Sequence, residues 1–274
     1  MNNNPLKQYF RRPAVYLRLP SKRNMYPQGV IDYPESEELP VYPMTAIDEI
    51  TVKTPDALFN GTAVADIIKS CVPNIKNPWE ILSVDLDAVL VSIRAASNGD
   101  KIEIETTCPS CKEESKYDIS LVNLLSRLKL GDYEAELQIN DLFIKFKPLT
   151  YAELNQASLK QFELQRAFSA IAQLDDVDEK LNRSKEALKI ITEMTMDFLT
   201  KAIEYIRAPT GTVGEYEFIR DFMANCDKNV YSKIKDHHTT LKDDSSIKPI
   251  PVTCINCTHE YEQPFVINYS DFFE

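Results

Sequence analysis

From Thr150 to Tyr205 apolar residues recur at helical spacing. Leu154, Ala157, Leu164, Phe168 and Ile171 share one face, and after the run LDDVD so do Leu181, Leu188, Ile191, Phe198, Ala202 and Tyr205. The pattern predicts two long antiparallel helices joined by an acidic turn, packed either as a supercoiled pair or as ordinary amphipathic neighbours. PTGTVG then breaks the second helix, EYEFIRDFMANC starts a third and NVYSKIKDHHTTLK a fourth. DDSSIKPIP returns the chain to extended structure.

Upstream the period shortens. KIEIET and KYDISL flank the stretch CPSC, which predicts a strand, a knuckle turn and a returning strand. YEAELQI and LFIKFKPL, joined through ND, predict a hairpin. Before them, TAIDEITVKTPDALFNGTAVADIIKSCVP opens on Thr45 and Asp48 and closes before Pro73, while NPWEILSVDLDAVLVSIRAASNG ends at a glycine; both read as short helices bounded by caps and prolines. Residues 1–45 hold seven prolines, and because each removes a backbone donor and restricts its neighbour, long helices are disfavoured there. An extended arm is expected, with AVYLRL as one strand available to the edge of a partner's sheet.

Two cysteine pairs add chemistry to this pattern. Cys108 and Cys111 in TTCPSC, and Cys254 and Cys257 in VTCINC, share the C-x-x-C spacing, and the flanks match as well. A threonine precedes each pair, a polar knuckle follows, and an aromatic-led strand comes next, so the two stretches form a weak internal repeat. Each half offers two thiolates, and a closed tetrahedral zinc site needs four ligands. Facing the two turns would complete it, with one structural zinc per chain, although more than 140 residues separate the halves. The competing reading is two reduced pairs, or a bridge within each turn, which such short spacing strains. His259 is an alternative fourth ligand. His237 and His238, adjacent on a helix, cannot share a face and are expected to be solvated. Cys71 and Cys226 follow apolar runs and read as buried small hydrophobes.

The fold class that results is α+β. An extended basic, proline-rich arm spans 1–45, a mixed α/β body with a zinc-ribbon-like module spans 46–149 and 245–274, and a helical insertion with a long antiparallel helix pair spans 150–244.

Length and composition bound the function. The 274 residues allow one sizeable core or two modest ones, and 43% apolar with 27% charged residues is ordinary for a globular protein. No apolar stretch approaches the roughly 18 to 20 residues that span a bilayer, and the N-terminus lacks the apolar segment of a secretory signal. A reducing cytoplasm is the expected site of synthesis. The net charge of −11 hides an asymmetry: Lys7, Arg11, Arg12, Arg18, Lys22 and Arg23 give residues 1–25 a charge of +6, which leaves −17 on the rest. These six cations are candidate partner-binding residues; docking against the chain's own acidic body and contact with nucleic acid stay open, the last disfavoured because that body repels phosphates. Without acids, residues 1–25 cannot build a core of their own and are expected to be separable from the body.

Catalytic signatures are missing. Six glycines provide no phosphate-binding loop, there is no G-x-S-x-G or H-E-x-x-H, and three histidines offer no plausible triad. A thioredoxin-like role for CPSC would need a helix after the first cysteine, where KEESKYDIS reads as a strand. Acid pairs such as Asp85 and Asp87 read as turn or solvated-face charge. The expectation is a protein without enzymatic activity, small-molecule substrate or membrane association.

Three runs together resemble a known family: VYLRLPSKRNMYPQGV, then LPVYPMTAIDEITVKTPDALFNGTAVADIIKSCVPNIKNPWEI, then VDLDAVLVSIRAASNGDKIEIETTCPSC, with CINCTHEYEQPFVINYSDFF at the C-terminus. The chain resembles the baseplate hub protein family of T-even-type contractile-tailed bacteriophages. That resemblance implies a virion component of the tail baseplate hub, in contact with other hub or tail proteins, or alternatively an assembly chaperone for hub or tape-measure proteins. A zinc-ribbon nucleic-acid binder is the remote alternative.

Overall fold

A computed structural model describes residues 5–54, 60–173, 176–265 and 267. The run at 55–59, the acidic turn expected at 174–175 and the end of the expected C-terminal strand at 266 and 268–274 fall outside these residues. The chain divides into two compact units, residues 1–129 with 246–274 and residues 130–245. The first unit is thus closed by the chain's return after the second.

The first unit is organised by one buried helix. VDLDAVLVSI has no wide polar face, as expected of a helix covered on most sides, and α3 (Ser83–Asn98) buries Val84, Leu86, Val89, Leu90, Val91 and Ile93. It stops at Gly99, whose φ of 89° a side chain would disfavour. Against α3 pack α2 (Thr62–Cys71) and the short pair β1 (Val15–Leu17) and β2 (Leu39–Val41). The helix α1 (Ala46–Val52) opens on the capping box Thr45–Asp48. In β1–β2, Val15 faces Val41 and Leu17 faces Leu39, with Leu17, Leu39 and Val41 buried.

The proline-rich segment therefore folds onto its own unit. The strand read in AVYLRL pairs with β2 of the same chain, and Leu19, Ser21 and Val30 are buried. Separability of residues 1–25 is overturned for this reason: they supply core side chains and bury a polar partner for Asp85. That carboxylate, fully buried on α3, accepts from the Ser21 N–H at 2.8 Å, from the Ser21 hydroxyl and from the Tyr26 hydroxyl at 2.6 Å. Burial raises the Asp85 pKa despite those donors. Asp85 is not solvated-face charge.

After α3 come the hairpin β3 (Lys101–Thr107) and β4 (Glu114–Ser120), then α4 (Leu121–Arg127), whose first turn Ser120 caps.

The second unit is built on a four-stranded antiparallel sheet in the order β5-β6-β7-β8. Its strands are β5 (Glu136–Ile139), β6 (Leu142–Phe146), β7 (Ile203–Ala208) and β8 (Gly211–Val213). The hairpin β5–β6 belongs to this unit, and not with the body, because β6 pairs with β7: Ile144 faces Ile206 and Phe146 faces Ile203. Between β6 and β7 run α5 (Tyr151–Ala172) and α6 (Val177–Lys201). Both start on strong caps, the Thr150–Glu153 box and Asp176. They are antiparallel: Lys180 Nζ reaches the Ala172 carbonyl at one end, and Lys201 Nζ reaches Gln156 Oε1 at the other.

Two expectations for this pair change. The second helix ends at Lys201, so Tyr205 lies on β7. The seam with α5 is made by Leu164, Phe168, Ile171, Ala187 and Met194, whereas Leu181, Leu188 and Ile191 are exposed. Leu181 and Leu188 are rotated away from Ala187 and Met194 about the axis of α6, whereas Ile191, one turn on from Ala187, shares their side and is the least exposed of the three. The unit is completed by α7 (Tyr216–Asn225) and α8 (Lys228–Ser245), as the helical spacing predicted. His237 and His238 on α8 are not solvated. Their rings lie 5.2 and 6.3 Å from the fully buried Phe146, and His238 also meets Phe198 edge-on at 5.5 Å. A helix that packs through its last turns buries residues on more than one stripe, so adjacent histidines can share one aromatic neighbour.

Candidate metal centre

Each cysteine pair sits in the turn of a hairpin. The first joins β3 to β4; the second joins β9 (Ile250–Thr253) to β10 (Glu260–Gln263). The two turns have one backbone design. In the first, Cys108 N–H donates to the Glu113 carbonyl at 3.0 Å and Lys112 N–H to the Cys108 carbonyl at 3.0 Å. In the second, Cys254 N–H donates to the His259 carbonyl at 2.9 Å and Thr258 N–H to the Cys254 carbonyl at 3.0 Å. The residue after each second cysteine is left-handed, Lys112 at φ 62° and Thr258 at φ 58°. That conformation ends the knuckle and turns the chain into its returning strand. The repeat seen in the flanks is therefore a repeat of backbone geometry.

The hairpins are held together by polar contacts beside the turns. Thr106 Oγ1 donates to Gln263 Oε1 at 2.6 Å, and Tyr117 Oη donates to the Thr253 carbonyl at 3.1 Å. These bring all four sulfurs within 4.8 Å of one another. The nearest pairs cross between the turns, Cys108 with Cys257 at 3.7 Å and Cys111 with Cys254 at 3.6 Å. A disulfide is about 2.05 Å long, so neither contact is a bridge. Tetrahedral zinc with Zn–S bonds of about 2.3 Å sets its sulfurs about 3.8 Å apart, and the cluster fits that edge length.

Electrostatics point the same way. Backbone N–H groups of Cys257 and Asn256 pull the Cys254 thiol down to about 7. The His259 N–H favours the Cys257 thiolate too, but the crowding sulfurs of Cys111, Cys254 and Cys108 push that thiol up to about 12. Four sulfurs this close cannot all ionise without a cation among them. Cys108 and Cys254 are buried and Cys257 is exposed, so the cluster lies under one edge of the module. His259 is not part of it; its ring stacks on Tyr261 at 6.2 Å, while its carbonyl closes the second knuckle. Among the described residues no other group of three or more His, Cys, Asp or Glu side chains has metal-site geometry.

The six cations of the N-terminal segment divide. Arg11 turns inward: its guanidinium donates to the Pro43 carbonyl at 2.6 Å and to the Ser70 carbonyl and hydroxyl at 2.9 Å, and meets Asp48 at 3.4 Å. It staples the segment to α1 and α2. Lys7 and Arg12 are exposed, and Arg18, Lys22 and Arg23 are exposed around one surface cavity. Cys71 is fully buried, and burial with Asp48 nearby raises its pKa to about 12, which leaves it an inert thiol. The Asp85 network had a weak sequence signal, a charge set inside the apolar run VDLDAVLV.

Fold and site together define a two-unit α+β protein with a closed four-cysteine cluster of structural type. The chain belongs to the T4 bacteriophage base plate protein family, whose model matches residues 37–274. It is thus a component of a phage tail baseplate. No curated protein and no solved structure gave a match. No helix among the described residues is long and apolar enough to cross a membrane.

Proposed function

We propose that the chain is a structural subunit of the baseplate hub, assembled in the host cytoplasm, retained in the virion tail and free of catalytic activity. One structural zinc per chain is held by Cys108, Cys111, Cys254 and Cys257. The family match over residues 37–274 supports the baseplate role, and the crossing of the sulfur pairs between two turns far apart in sequence is the observation that carries the zinc. Bound there, a zinc ion would clamp the C-terminal hairpin to the middle of the chain, and four protein thiolates would leave no coordination position for water or substrate. Such a cluster makes a body rigid; it does not activate a substrate. The partners are other hub or tail proteins. Nucleic acid is disfavoured by the module's own surface, where Glu103, Glu105, Glu113, Glu114 and Asp118 are exposed beside Lys116, which already pairs with Glu103 and Glu105.

A mass-spectrometric inventory of purified tails tests the placement. The expected result is the chain present at a fixed ratio to other baseplate proteins. Its presence in infected cells together with its absence from tails would overturn the reading in favour of an assembly chaperone.

A further inference from the structure

Exposure divides the four clustered cysteines by their place in the turn. The first cysteine of each turn, Cys108 or Cys254, is buried, whereas of the second cysteines Cys257 is exposed and Cys111 half-buried. The sulfur contacts that cross between the turns join a buried member to an open one in both cases: Cys108 meets Cys257 at 3.7 Å, and Cys254 meets Cys111 at 3.6 Å. A reagent in solution thus reaches one sulfur of each pair, and the other stands directly behind it.

An accessible thiol backed by a second thiol is the arrangement that closes into a disulfide. A bridge sets its sulfurs about 2.05 Å apart, so each pair has to approach by about 1.6 Å, which rotation of the side chains covers. The hairpins are kept opposed by bonds in which no sulfur takes part, Thr106 to Gln263 and Tyr117 to the Thr253 carbonyl. The crossing pairs therefore stay face to face while the sulfurs react. The other two cysteines lack this arrangement. Cys71 is fully buried, and Cys226, the one cysteine in residues 130–245, directs its Sγ to the Met223 carbonyl at 3.6 Å.

We infer that the cluster is also a site of oxidative modification, at which glutathione disulfide converts the four thiolates to two crossing bridges, Cys108–Cys257 and Cys111–Cys254. The Cys257 thiolate attacks one sulfur of the reagent, forms a mixed disulfide and expels one glutathione thiolate. Cys108 then attacks the Cys257 sulfur and expels the second. The two cysteines lose two electrons, and one glutathione disulfide gains them and becomes two thiols. Cys111 and Cys254 repeat the exchange with a second molecule of reagent. No thiolate is left for a metal, yet the C-terminal hairpin stays tied to the middle of the chain across 149 and 143 residues, now covalently. The inference deepens the proposed zinc site and rests on the virion reading for its setting. A subunit assembled in the host cytoplasm starts among reduced thiols and leaves that reducing poise with the released particle. Bridges within each turn would consume the same thiolates and release one hairpin from the other; the crossing bridges preserve the closure.

The test treats the purified full-length chain with glutathione disulfide and maps the bridges by mass spectrometry of a digest made without reductant. Cys108–Cys257 and Cys111–Cys254 are expected, with zinc content falling in step and Cys71 left as a thiol. In Cys108→Ser, Cys257 is expected to stop at the mixed disulfide while Cys111–Cys254 still closes; should that variant fail to fold, the wild-type map decides alone. The oxidised, metal-free chain is expected to unfold at a higher denaturant concentration than reduced chain stripped by a chelator, and to lose that advantage on reduction with a dithiol. Bridges within a turn, bridges joining Cys108 to Cys254, bridges between two copies, or cluster thiols that persist overturn the inference. The zinc reading fails on a different measurement, the metal content before oxidation. A chain that carries no zinc and still forms the crossing bridges refutes that reading and upholds this one, and a zinc-loaded chain that forms other bridges does the reverse.

Discussion

The sulfurs of Cys111 and Cys254 lie 3.6 Å apart, although 143 residues separate them in the chain. No covalent bond joins them, so the closure of this long segment depends on what sits between the thiolates. Closing a loop of this length removes on the order of 5 kcal/mol of chain entropy from the unfolded state when the link is covalent. A metal link of four ligands acts on the same entropy. Purified chain is therefore expected to carry one equivalent of zinc by atomic emission, and Cys254→Ser to carry far less. The variant should lose about 3–5 kcal/mol in denaturant unfolding, below the roughly 10–16 kcal/mol of isolated zinc-finger peptides because the helices around α3 have a core of their own. Zinc well below one equivalent in the wild-type chain would refute the assignment.

Thr258 is the strained member of the pair of knuckles. A left-handed backbone costs an ordinary residue roughly 1–2 kcal/mol, and a β-branched side chain suffers most. Thr258→Gly removes that strain at an entropic cost of about 0.5–1 kcal/mol. A gain of up to about 1 kcal/mol in stability is expected, with zinc retained, while Thr258→Val gains nothing. Denaturation midpoints of the two variants decide it, and a loss on glycine substitution would contradict the strain argument.

Elements with strong local signals were legible in the sequence, and those fixed by distant partners were not. The helical spacing after Thr150 and the alternation around CPSC each act within a few residues, and each produced its element. The four cysteines were readable because the turn design repeats, down to the threonine before each pair. The strands β7 and β8 were read as a helix end and a break, because six residues, IEYIRA, fit either period and only pairing with β6 settles them. The inner face of α6 was misplaced for a related reason. Its sequence offers two apolar stripes, and the contact with α5 selects the one with Ala187 and Met194. Asp85 was missed since a buried carboxylate is explained only by Ser21 and Tyr26, some 60 residues away.

That buried carboxylate makes the N-terminal segment part of the core. Deleting residues 1–25 removes Leu17, Leu19 and both Ser21 donors, and leaves Asp85 with Tyr26 alone. A buried acceptor left without its donors costs about 1–3 kcal/mol, and the lost apolar side chains add to it. The truncated chain is expected to be largely unfolded in the first unit, with loss of helical circular dichroism at ambient temperature. Deleting residues 1–10 alone, whose described part is exposed throughout, should cost about 1 kcal/mol or less. Full stability of the longer truncation would show that the Asp85 network is dispensable.

The histidines of α8 predict how acid acts on the second unit. Burial lowers the His238 pKa, with Lys242 and His237 adding to the effect, and burial lowers His237, with Asp132 acting in the opposite sense. The native state thus resists protons that the unfolded chain accepts near pH 6.5. Above about 6.5 both states hold neutral imidazoles and the unit has its full stability. Below it the unfolded chain binds more protons, so stability falls with falling pH until the native histidines also protonate. Most carboxylates lose their charge near pH 4; burial pushes Asp87 up to about 6, but that group lies on α3 of the first unit and is the same in both chains, so it cancels in a comparison of histidine variants. His238→Leu keeps the apolar contact with Phe146 and Phe198 and removes the proton acceptor. The variant should show a shallower loss of unfolding free energy between pH 7 and 5 than the wild-type chain, measured by urea titration. Any acid loss of zinc is common to both chains and cancels in the comparison, so equal slopes would show that the buried imidazole does not govern this transition.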